Sequence, residues 1–207
     1  MSDAQMVDLD FEEIAPGIVV YKNVYSGNID LIDFLEDITS QGDIKWLDAY
    51  VKNGETTSLN KNERDTKTIG VPYYVESDSI PKETLDKLPI IRVSKILKDF
   101  FNPIEQSYSI KYGVSYLHHD NFSVLKYGVG QKFVNHIDDH SDFHRRISFV
   151  YYINDNYSGG EINFPRFNIS YKPAANELLV FPSTYVYNHS VSPVTDGTRY
   201  AVVSWIK

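Results

Sequence analysis

The sequence RISFVYYINDNYSGGEINFP, residues 146–165, indicates how the C-terminal half of this chain folds. Its first nine residues are rich in β-branched and aromatic side chains, which is typical of a β-strand. A turn-forming Asn-Asp-Asn segment follows, and two glycines then precede a second short apolar run. Short strands separated by Gly, Asn and Asp predict an antiparallel sandwich or barrel.

The same alternation of short apolar runs and turn residues continues over the rest of the chain after about Tyr112. Before Tyr112, apolar side chains recur at helical spacing in two segments. The two halves together predict an α+β protein in which helices cover one face of an antiparallel β-core. The segments that we expect to be strands of this core are Phe122–Tyr127, Ile147–Ile153, Glu161–Phe164, Glu177–Phe181 and Tyr200–Ile206.

The two helical segments lie in the N-terminal half. Asp30–Ile38 places its large apolar residues on one helical face, and Leu85–Phe101 has apolar residues at mixed three- and four-residue steps. Pro89 lies near the start of the second helix or separates it from a short preceding turn. Pro103 follows the expected end of that helix.

The remaining N-terminal segments predict strands and a loop. Phe11–Val24 is typical of strand pieces around a turn at Pro16-Gly17, and the polar stretch Val51–Asp65 predicts a loop. We expect a single domain over residues 1–207. It would comprise a polar tail (1–10), N-terminal strands and supporting helices (11–115) and the β-core (116–207).

The composition excludes several classes of protein. The chain has 207 residues, a net charge of −8 and no cysteine, so disulfides, zinc fingers and thiol nucleophiles are excluded. An acidic chain is not expected to bind nucleic acid, and no apolar run approaches the ~20 residues of a membrane helix. The N-terminus lacks the features of a signal peptide, so we expect a cytoplasmic protein without membrane contact. The sequence does not indicate an oligomeric state.

The six histidines are the main candidates for chemistry, and three of them begin a His-x-Asp sequence, at His118, His136 and His140. Residues i and i+2 of a strand face the same side, so each pair would present an imidazole beside a carboxylate. With one distant histidine, such a pair makes the ligand set of non-haem Fe(II) oxygenases, which leaves coordination positions open. Any single pair is equally compatible with ordinary surface residues.

Further ordered segments accompany His136-Ile-Asp138 and not the other pairs. They are LKYGVGQ (125–131), the strand at 146–154, SGGEINFP (158–165), ELLVFP (177–182), His189 and GTRYAVVSW (197–205). Taken together, the residues from about Phe122 to the C-terminus resemble the 2-oxoglutarate- and Fe(II)-dependent oxygenases of the prolyl 4-hydroxylase-like group. The resemblance implies a double-stranded β-helix, or jelly-roll, as the catalytic β-core, braced by the N-terminal helices.

The resemblance also implies the roles of individual residues. His136, Asp138 and His189 match the catalytic iron ligands, and Arg199 matches the arginine that binds the carboxylate of 2-oxoglutarate. The implied cofactors are Fe(II), 2-oxoglutarate as cosubstrate and O2, with ascorbate as a candidate reductant.

Three aromatic residues match further positions of the family's cofactor pocket. Tyr152, the second residue of the Tyr-Tyr pair, matches a tyrosine that donates to the same carboxylate. Tyr127 matches a tyrosine near the cosubstrate or the substrate, and Trp205 matches a tryptophan that lines the pocket. An aromatic residue in a β-core can equally serve packing alone.

The spacing gives an expectation for Arg199, which lies ten residues after His189. If a turn at residues 195–197 makes the flanking segments antiparallel, Arg199 lies beside the strand that carries His189. An arginine inside an apolar strand needs a carboxylate partner, because an unpaired buried charge is costly. The fork of donors on its guanidinium suits the carboxylate of 2-oxoglutarate. A surface ion pair is the alternative.

The other histidines are weaker candidates. His118 and His119 have no matching segments at the right offset. His140 lies in the polar run 138–142, which we expect to be a loop, although Asp139 or Asp142 remains an alternative ligand. Residues 144–146, His-Arg-Arg, are expected at a solvated loop end, with substrate contact as the alternative.

The resemblance implies hydroxylation of a substrate C–H bond coupled to decarboxylation of 2-oxoglutarate to succinate. Proline in a peptide or protein is the expected substrate, and prolyl 4-hydroxylation is the expected reaction. A free amino acid or another small molecule is the alternative. The acidic net charge favours a neutral or basic substrate, but a charge spread over the whole surface decides little.

Two other functions fit parts of the sequence. A non-catalytic, cupin-like binding module would explain the β-core, but such a module could lose the ligand set freely. A zinc hydrolase could use the same three ligands, but it leaves Arg199 and Tyr152 without a role.

Overall fold

The computed structural model describes residues 9–53, 56–75, 81–115, 118–139 and 144–207. The helices in these ranges are α1 (Leu31–Ser40), α2 (Lys82–Leu85) and α3 (Pro89–Tyr112). The strands are β1 (Phe11–Ala15), β2 (Ile18–Tyr21), β3 (Leu47–Asp48), β4 (Val51–Asn53), β5 (Thr56–Ser58), β6 (Lys67–Val71), β7 (Phe122–Tyr127), β8 (Phe133–His136), β9 (Ile147–Tyr152), β10 (Ser158–Gly159), β11 (Ile162–Phe164), β12 (Ile169–Tyr171), β13 (Glu177–Pro182), β14 (His189–Val191), β15 (Val194–Asp196) and β16 (Arg199–Ile206).

Helix α1 forms where its apolar spacing predicts it. The carboxylate of Asp30 caps the helix by accepting hydrogen bonds from the backbone N–H groups of Ile32 (2.9 Å) and Asp33 (3.1 Å). Leu31, Leu35 and Ile38 are buried on one face. The expected helix at Asp30–Ile38 is therefore confirmed, shifted because Asp30 is the cap rather than the first helical residue.

Helix α3 is longer than the sequence predicts. Its start at Pro89, after the single turn of α2, agrees with the expectation, but its end does not: the helix continues through Pro103 to Tyr112. Ile104 and Tyr108 extend the buried face beyond the proline, and this packing outweighs the helix-breaking tendency of Pro103. Gly113, with a φ of 63°, ends the helix.

Two antiparallel sheets face each other in the C-terminal half. The larger sheet has eight strands in the order β1-β2-β13-β9-β16-β7-β6-β3, and the smaller has four in the order β12-β11-β14-β8. Short two-stranded pairs, β10-β15 and β4-β5, complete the described strands. The predicted α+β class with a jelly-roll core is thus confirmed.

The eight-stranded sheet is buried on both faces, which explains why its central strands are almost entirely apolar. One face packs against α1 and α3 through residues such as Phe149, Tyr151 and Val202. The opposite face packs against the four-stranded sheet through the alternate residues Val150, Tyr152 and others. Each central strand therefore serves the helical core with one set of side chains and the space between the sheets with the other set.

The stretch 51–65 is not a simple loop as predicted, since β4 and β5 pair within it. The turn expected at Pro16-Gly17 does join β1 to β2. Over the described part of the chain, no helix is both long and apolar enough to cross a membrane.

Candidate active site

His136, Asp138 and His189 lie together at one end of the smaller sheet. His136 is the last residue of β8, and His189, the first residue of β14, is its direct cross-strand partner. Nε2 of His136 lies 3.6 Å from Oδ1 of Asp138, and Nε2 of His189 lies 3.7 Å from Oδ2. The donor atoms of all three residues lie within 4.8 Å of one another, so they form a group that could hold one metal ion.

The two imidazoles are oriented by their other nitrogens. Nδ1 of His136 lies 2.8 Å from the carbonyl oxygen of Val134, and Nδ1 of His189 lies 3.1 Å from that of Tyr187. A carbonyl only accepts, so each Nδ1 carries the proton and each Nε2 offers its lone pair to the centre of the site. Burial also lowers the pKa of His136, which keeps this ring neutral at pH 7.

Asp138 is held in the ionised form. Its side chain is buried, and Oδ2 accepts a hydrogen bond from the hydroxyl of Ser148 (2.7 Å), which in turn lies 2.8 Å from the hydroxyl of Ser183. Burial acts to raise the pKa of Asp138, but the two neighbouring histidines and the Ser148 hydrogen bond outweigh it and lower the pKa. The set is thus one ionised carboxylate and two imidazoles whose Nε2 atoms face it.

Arg199 is 2% exposed, and its Nε and Nη1 atoms have no hydrogen-bond partner among the described residues. It does not lie beside the strand of His189 as expected, because β16 belongs to the larger sheet and β14 to the smaller one. The two residues instead approach each other across the space between the sheets, where both line the same cavity.

A small cavity of about 40 Å³, which we call the inner cavity, connects these groups. Six of the seven residues singled out in the sequence line it, namely His136, Asp138, His189, Arg199, Tyr127 and Trp205. The seventh, Tyr152, lies next to Arg199: the guanidinium carbon is 5.1 Å from its ring centre and 4.8 Å from that of Tyr127. The hydroxyl of Tyr152 is buried without a hydrogen-bond partner in the described part of the chain, and burial raises the pKa of Tyr152.

Tyr157 is a candidate that the sequence reasoning missed. It is 6% exposed, its hydroxyl has no partner, and the charge of Arg199 partly offsets the rise in its pKa on burial. Gly160 permits this approach, because a Cβ there would lie 2.9 Å from the ring of Tyr157 and 3.0 Å from Cδ of Arg199. The signal in the sequence is the pair Gly159-Gly160, which begins two residues after Tyr157.

The outer groove is a larger cavity of about 780 Å³ that shares Arg64, Phe133, His136, Asp138 and Trp205 with the inner cavity. Its wall includes Tyr50, Tyr185, Arg145 and Arg166. Arg145 is not at a solvated loop end as predicted. Its guanidinium lies 3.5 Å from the ring centre of Trp205 and pairs with Asp120 at 3.4 Å.

The other histidines are not part of this cluster. His119 is buried beneath the larger sheet, stacked on Tyr73 at 4.2 Å, with Nε2 at 3.4 Å from a carboxylate oxygen of Glu105. His118 and His144 are exposed. His140 and Asp142 lie outside the described residues. Among the described residues, His136, Asp138 and His189 form the one group with donor atoms close enough to hold a metal.

The comparison with known families agrees with this geometry, since the family model of the 2OG-Fe(II) oxygenase superfamily matches residues 122–207. The C-terminal β-core of this chain is thus similar to the 2OG-Fe(II) oxygenase superfamily. Strands β7 to β16 lie inside the matched region; they carry His136, His189 and Arg199, and Asp138 follows the end of β8 by two residues. The N-terminal helices lie outside it.

Relatives of this oxygenase include a PKHD-type hydroxylase of Rippkaea orientalis, 28% identical over 84% of this chain and 67% of the relative. Alignments with other PKHD-type hydroxylases cover as little as 37% of the relative. A prolyl-4-hydroxylase of Pseudomonas putida has a similar fold, with a TM-score of 0.67 at 16% identity over 92% of both chains. A prolyl hydroxylase of Trichoplax adhaerens, in complex with a peptide fragment, gives 0.66 at 17% over 92% of this chain and 83% of the other.

The residues present fit the cofactors of this superfamily. Two imidazole nitrogens and one carboxylate are the donor set that non-haem Fe(II) takes, with coordination positions left open. The unpartnered donors of Arg199, Tyr152 and Tyr157 fit a ligand carboxylate, because a buried guanidinium without an acceptor is otherwise costly. The chain therefore has a set of metal ligands that fits Fe(II) and a set of hydrogen-bond donors that fits 2-oxoglutarate.

Proposed function

We propose that this oxygenase is a prolyl 4-hydroxylase-like enzyme that hydroxylates proline in a peptide or protein and converts 2-oxoglutarate to succinate. In this proposal His136, Asp138 and His189 hold Fe(II), and Arg199 binds the far carboxylate of 2-oxoglutarate. The observation that carries it is the buried guanidinium of Arg199, whose Nε and Nη1 atoms have no hydrogen-bond partner among the described residues, in the same cavity as the three metal-ligand candidates. The iron, when bound, supplies the oxidising chemistry with O2 and 2-oxoglutarate.

The protein's own residues position and protect these groups. The carbonyls of Val134 and Tyr187 fix the tautomer of the two histidines, and Ser148 fixes the carboxylate of Asp138. These contacts preorganise the ligands, so little rearrangement is needed when the metal binds.

The aromatic residues have supporting roles in the proposal. Tyr152 and Tyr157 can each donate a hydroxyl to the carboxylate that pairs with Arg199, which satisfies donors that otherwise have no acceptor. Tyr127 presents its ring to the guanidinium, and Trp205 forms the wall between the inner cavity and the outer groove.

A peptide substrate is supported by the outer groove. Its wall contains two buried donors without partners among the described residues, Nε of Arg64 and Nε1 of Trp205, and two such acceptors, Oδ1 of Asp139 and Oδ1 of Asn188. A peptide backbone offers both N–H and C=O groups to such a mixed wall. The Trichoplax adhaerens neighbour, which is in complex with a peptide fragment, supports the same choice over a free amino acid.

The proposal is tested by incubating the protein with Fe(II), 2-oxoglutarate, ascorbate and a library of proline-containing peptides. We expect succinate and a mass gain of one oxygen on proline, and neither with His136→Ala or Asp138→Ala. His118→Ala, which changes an exposed histidine outside the site, is the matched control. Normal succinate production by either site variant would contradict the iron assignment. Addition of oxygen to a residue other than proline would agree with the proposed reaction but contradict proline as the substrate.

A binding module is distinguished by a simpler measurement. An enzyme of this kind should bind Mn(II), as a substitute for Fe(II), together with 2-oxoglutarate. The Arg199→Met variant should bind 2-oxoglutarate more weakly than the wild type does. A cytoplasmic location and a requirement for ascorbate stay predictions.

A further inference from the structure

The outer groove and the inner cavity concentrate the arginines of this chain. Four of the six arginines in the sequence line these two cavities, namely Arg64, Arg145, Arg166 and Arg199. None of the described lining residues is a lysine, although the sequence has 14 of them. Arginine is the side chain that binds carboxylates with two parallel hydrogen bonds, so this selection points to an anionic ligand.

The described wall of the outer groove is less acidic than the protein as a whole. Three guanidinium groups lie in its described wall, against the carboxylates of Glu63 and Asp139, once Asp138 is assigned to the metal. Glu63 is already engaged, because it accepts a hydrogen bond from Asn60 (2.8 Å). A net charge of −8 for the chain therefore does not describe the surface that the substrate meets.

Among the arginines of the groove, Arg64 is the one that also lines the described part of the inner cavity. Its guanidinium carbon is 4.9 Å from the ring centre of Phe133, and that ring stacks on His136 at 3.6 Å. Arg64 therefore lies at the junction of the two cavities, one aromatic ring away from a candidate metal ligand.

The donors of Arg64 are only partly used. Nη1 donates to the carbonyl oxygen of Tyr50 (3.2 Å), whereas Nε is buried without a partner. Over the described residues, no carboxylate forms an ion pair with Arg64. Arg145, in contrast, is paired with Asp120 and covers Trp205, so it serves as part of the wall.

We propose that the outer groove selects a peptide with an acidic side chain close to the residue that is hydroxylated, and that Arg64 binds this carboxylate. Arg166, at the exposed rim above Tyr185, adds to the positive field at the entrance. The inference rests on the proposed function, because it assumes that the outer groove, which His136 lines, binds a substrate.

The test uses short proline peptides that are identical except at one position next to the proline, which is Asp, Asn or Lys. Asn keeps the size of Asp and removes its charge. Binding to the protein loaded with Mn(II) and 2-oxoglutarate is measured by calorimetry, so that no turnover is needed. The substituted position is scanned over two residues on each side of the proline.

At the best position we expect the Asp peptide to bind about tenfold or more tightly than the Asn peptide, and the Lys peptide to bind more weakly than both. Arg64→Gln should remove the preference for Asp over Asn, and Arg64→Lys should keep part of it, because the charge remains and the fork is lost. Arg92→Gln, an exposed arginine on α3, is the control and should keep the full preference.

Each failure has a distinct meaning. If the wild-type protein binds 2-oxoglutarate and Mn(II) but binds the three peptides equally, the proposal for Arg64 is overturned and the proposed function stands. If it binds none of the three peptides, the proposal for Arg64 is overturned together with the peptide substrate, and only the assignment of the metal and cosubstrate stands. If Arg64→Gln loses affinity for 2-oxoglutarate while the peptide preference stays, Arg64 belongs to the cosubstrate and the proposal is wrong. If the wild-type protein does not bind 2-oxoglutarate at all, the proposed function itself fails.

Discussion

Replacing Arg199 by methionine should have opposite effects on ligand binding and on the stability of the ligand-free protein. Methionine keeps the length of the aliphatic stem, which packs beside Gly160, and removes the guanidinium. In the protein without 2-oxoglutarate, that guanidinium is 2% exposed and lacks a carboxylate partner among the described residues. Burial of this charge therefore destabilises the folded protein without ligand, and the carboxylate of 2-oxoglutarate offsets this destabilisation when it binds.

The expected size follows from the surroundings of the charge. Burying an unpaired charge costs several kcal/mol, and the rings of Tyr127 and Tyr152, at 4.8 and 5.1 Å, recover part of this cost. Cation–ring contacts contribute about 0.5–2 kcal/mol each, so the variant should gain about 1–3 kcal/mol of stability without ligand. Loss of the charge-assisted contact should weaken 2-oxoglutarate binding by about 2–4 kcal/mol, or about 30- to 900-fold.

Urea unfolding in the absence of metal and 2-oxoglutarate measures the first effect, and calorimetric titration of the Mn(II)-loaded protein with 2-oxoglutarate measures the second. Arg92→Met, at an exposed position on α3, should change the free energy of unfolding by less than about 0.5 kcal/mol. If Arg199→Met is less stable than the wild type without ligand, the guanidinium has a structural role in the sheet. Unchanged affinity for 2-oxoglutarate would refute its assignment to the cosubstrate.

Three further predictions follow from neighbouring contacts. Gly160→Ala should lower both the melting temperature and the 2-oxoglutarate affinity. The alanine Cβ would lie 3.0 Å from Cδ of Arg199, and the backbone φ of +67° is strained for alanine. Gly70→Ala, where the Cβ meets open space, is the control and should change neither quantity. Tyr157→Phe should weaken 2-oxoglutarate binding about 3- to 10-fold in the same titration and leave Mn(II) affinity unchanged; equal 2-oxoglutarate affinity would exclude its hydroxyl as a donor. Burial lowers the pKa of His119 from 6.5 to about 4, so protons favour the unfolded chain between these values. Urea titrations should show a loss of about 2 kcal/mol of stability between pH 7 and pH 5 that His119→Gln lacks, and an equal loss in both proteins would contradict this origin.

Local patterns predicted the parts of this fold that depend on neighbours in sequence. Strand β7 has the expected bounds, Phe122–Tyr127, and α1 begins one residue after its predicted start because Asp30 caps it. The errors lie where tertiary packing decides. Helix α3 passes through Pro103 because its apolar face continues against the sheet, and the hairpin β4-β5 forms in a stretch whose polar composition predicts a loop.

The candidate site divides in the same way. His136 and Asp138 are two residues apart, so a motif can carry them, and a resemblance over the ordered segments supplied His189 and Arg199. Arg64 has no such signal, because its place depends on a single backbone bridge to Phe133, a residue far along the chain. The prediction that Arg199 lies beside the strand of His189 was wrong for the same reason, since sequence spacing does not show which sheet a strand joins.

The division between the two halves has a functional consequence. The candidate metal ligands and Arg199 all lie within residues 122–207, on or close to strands of the two packed sheets. Strand β16 illustrates how the sheets position the site. Arg199 and Trp205 line the inner cavity, whereas Val202 and Ile206 of the same strand belong to the core that packs against the helices. The wall of the outer groove, in contrast, takes Tyr50, Glu63 and Arg64 from outside the matched region. In the proposed function, the chemistry therefore depends on the part of the chain that the family model matches, and the selection of the substrate depends partly on residues outside it. This is why the peptide preference has to be measured on this protein and not transferred from its relatives.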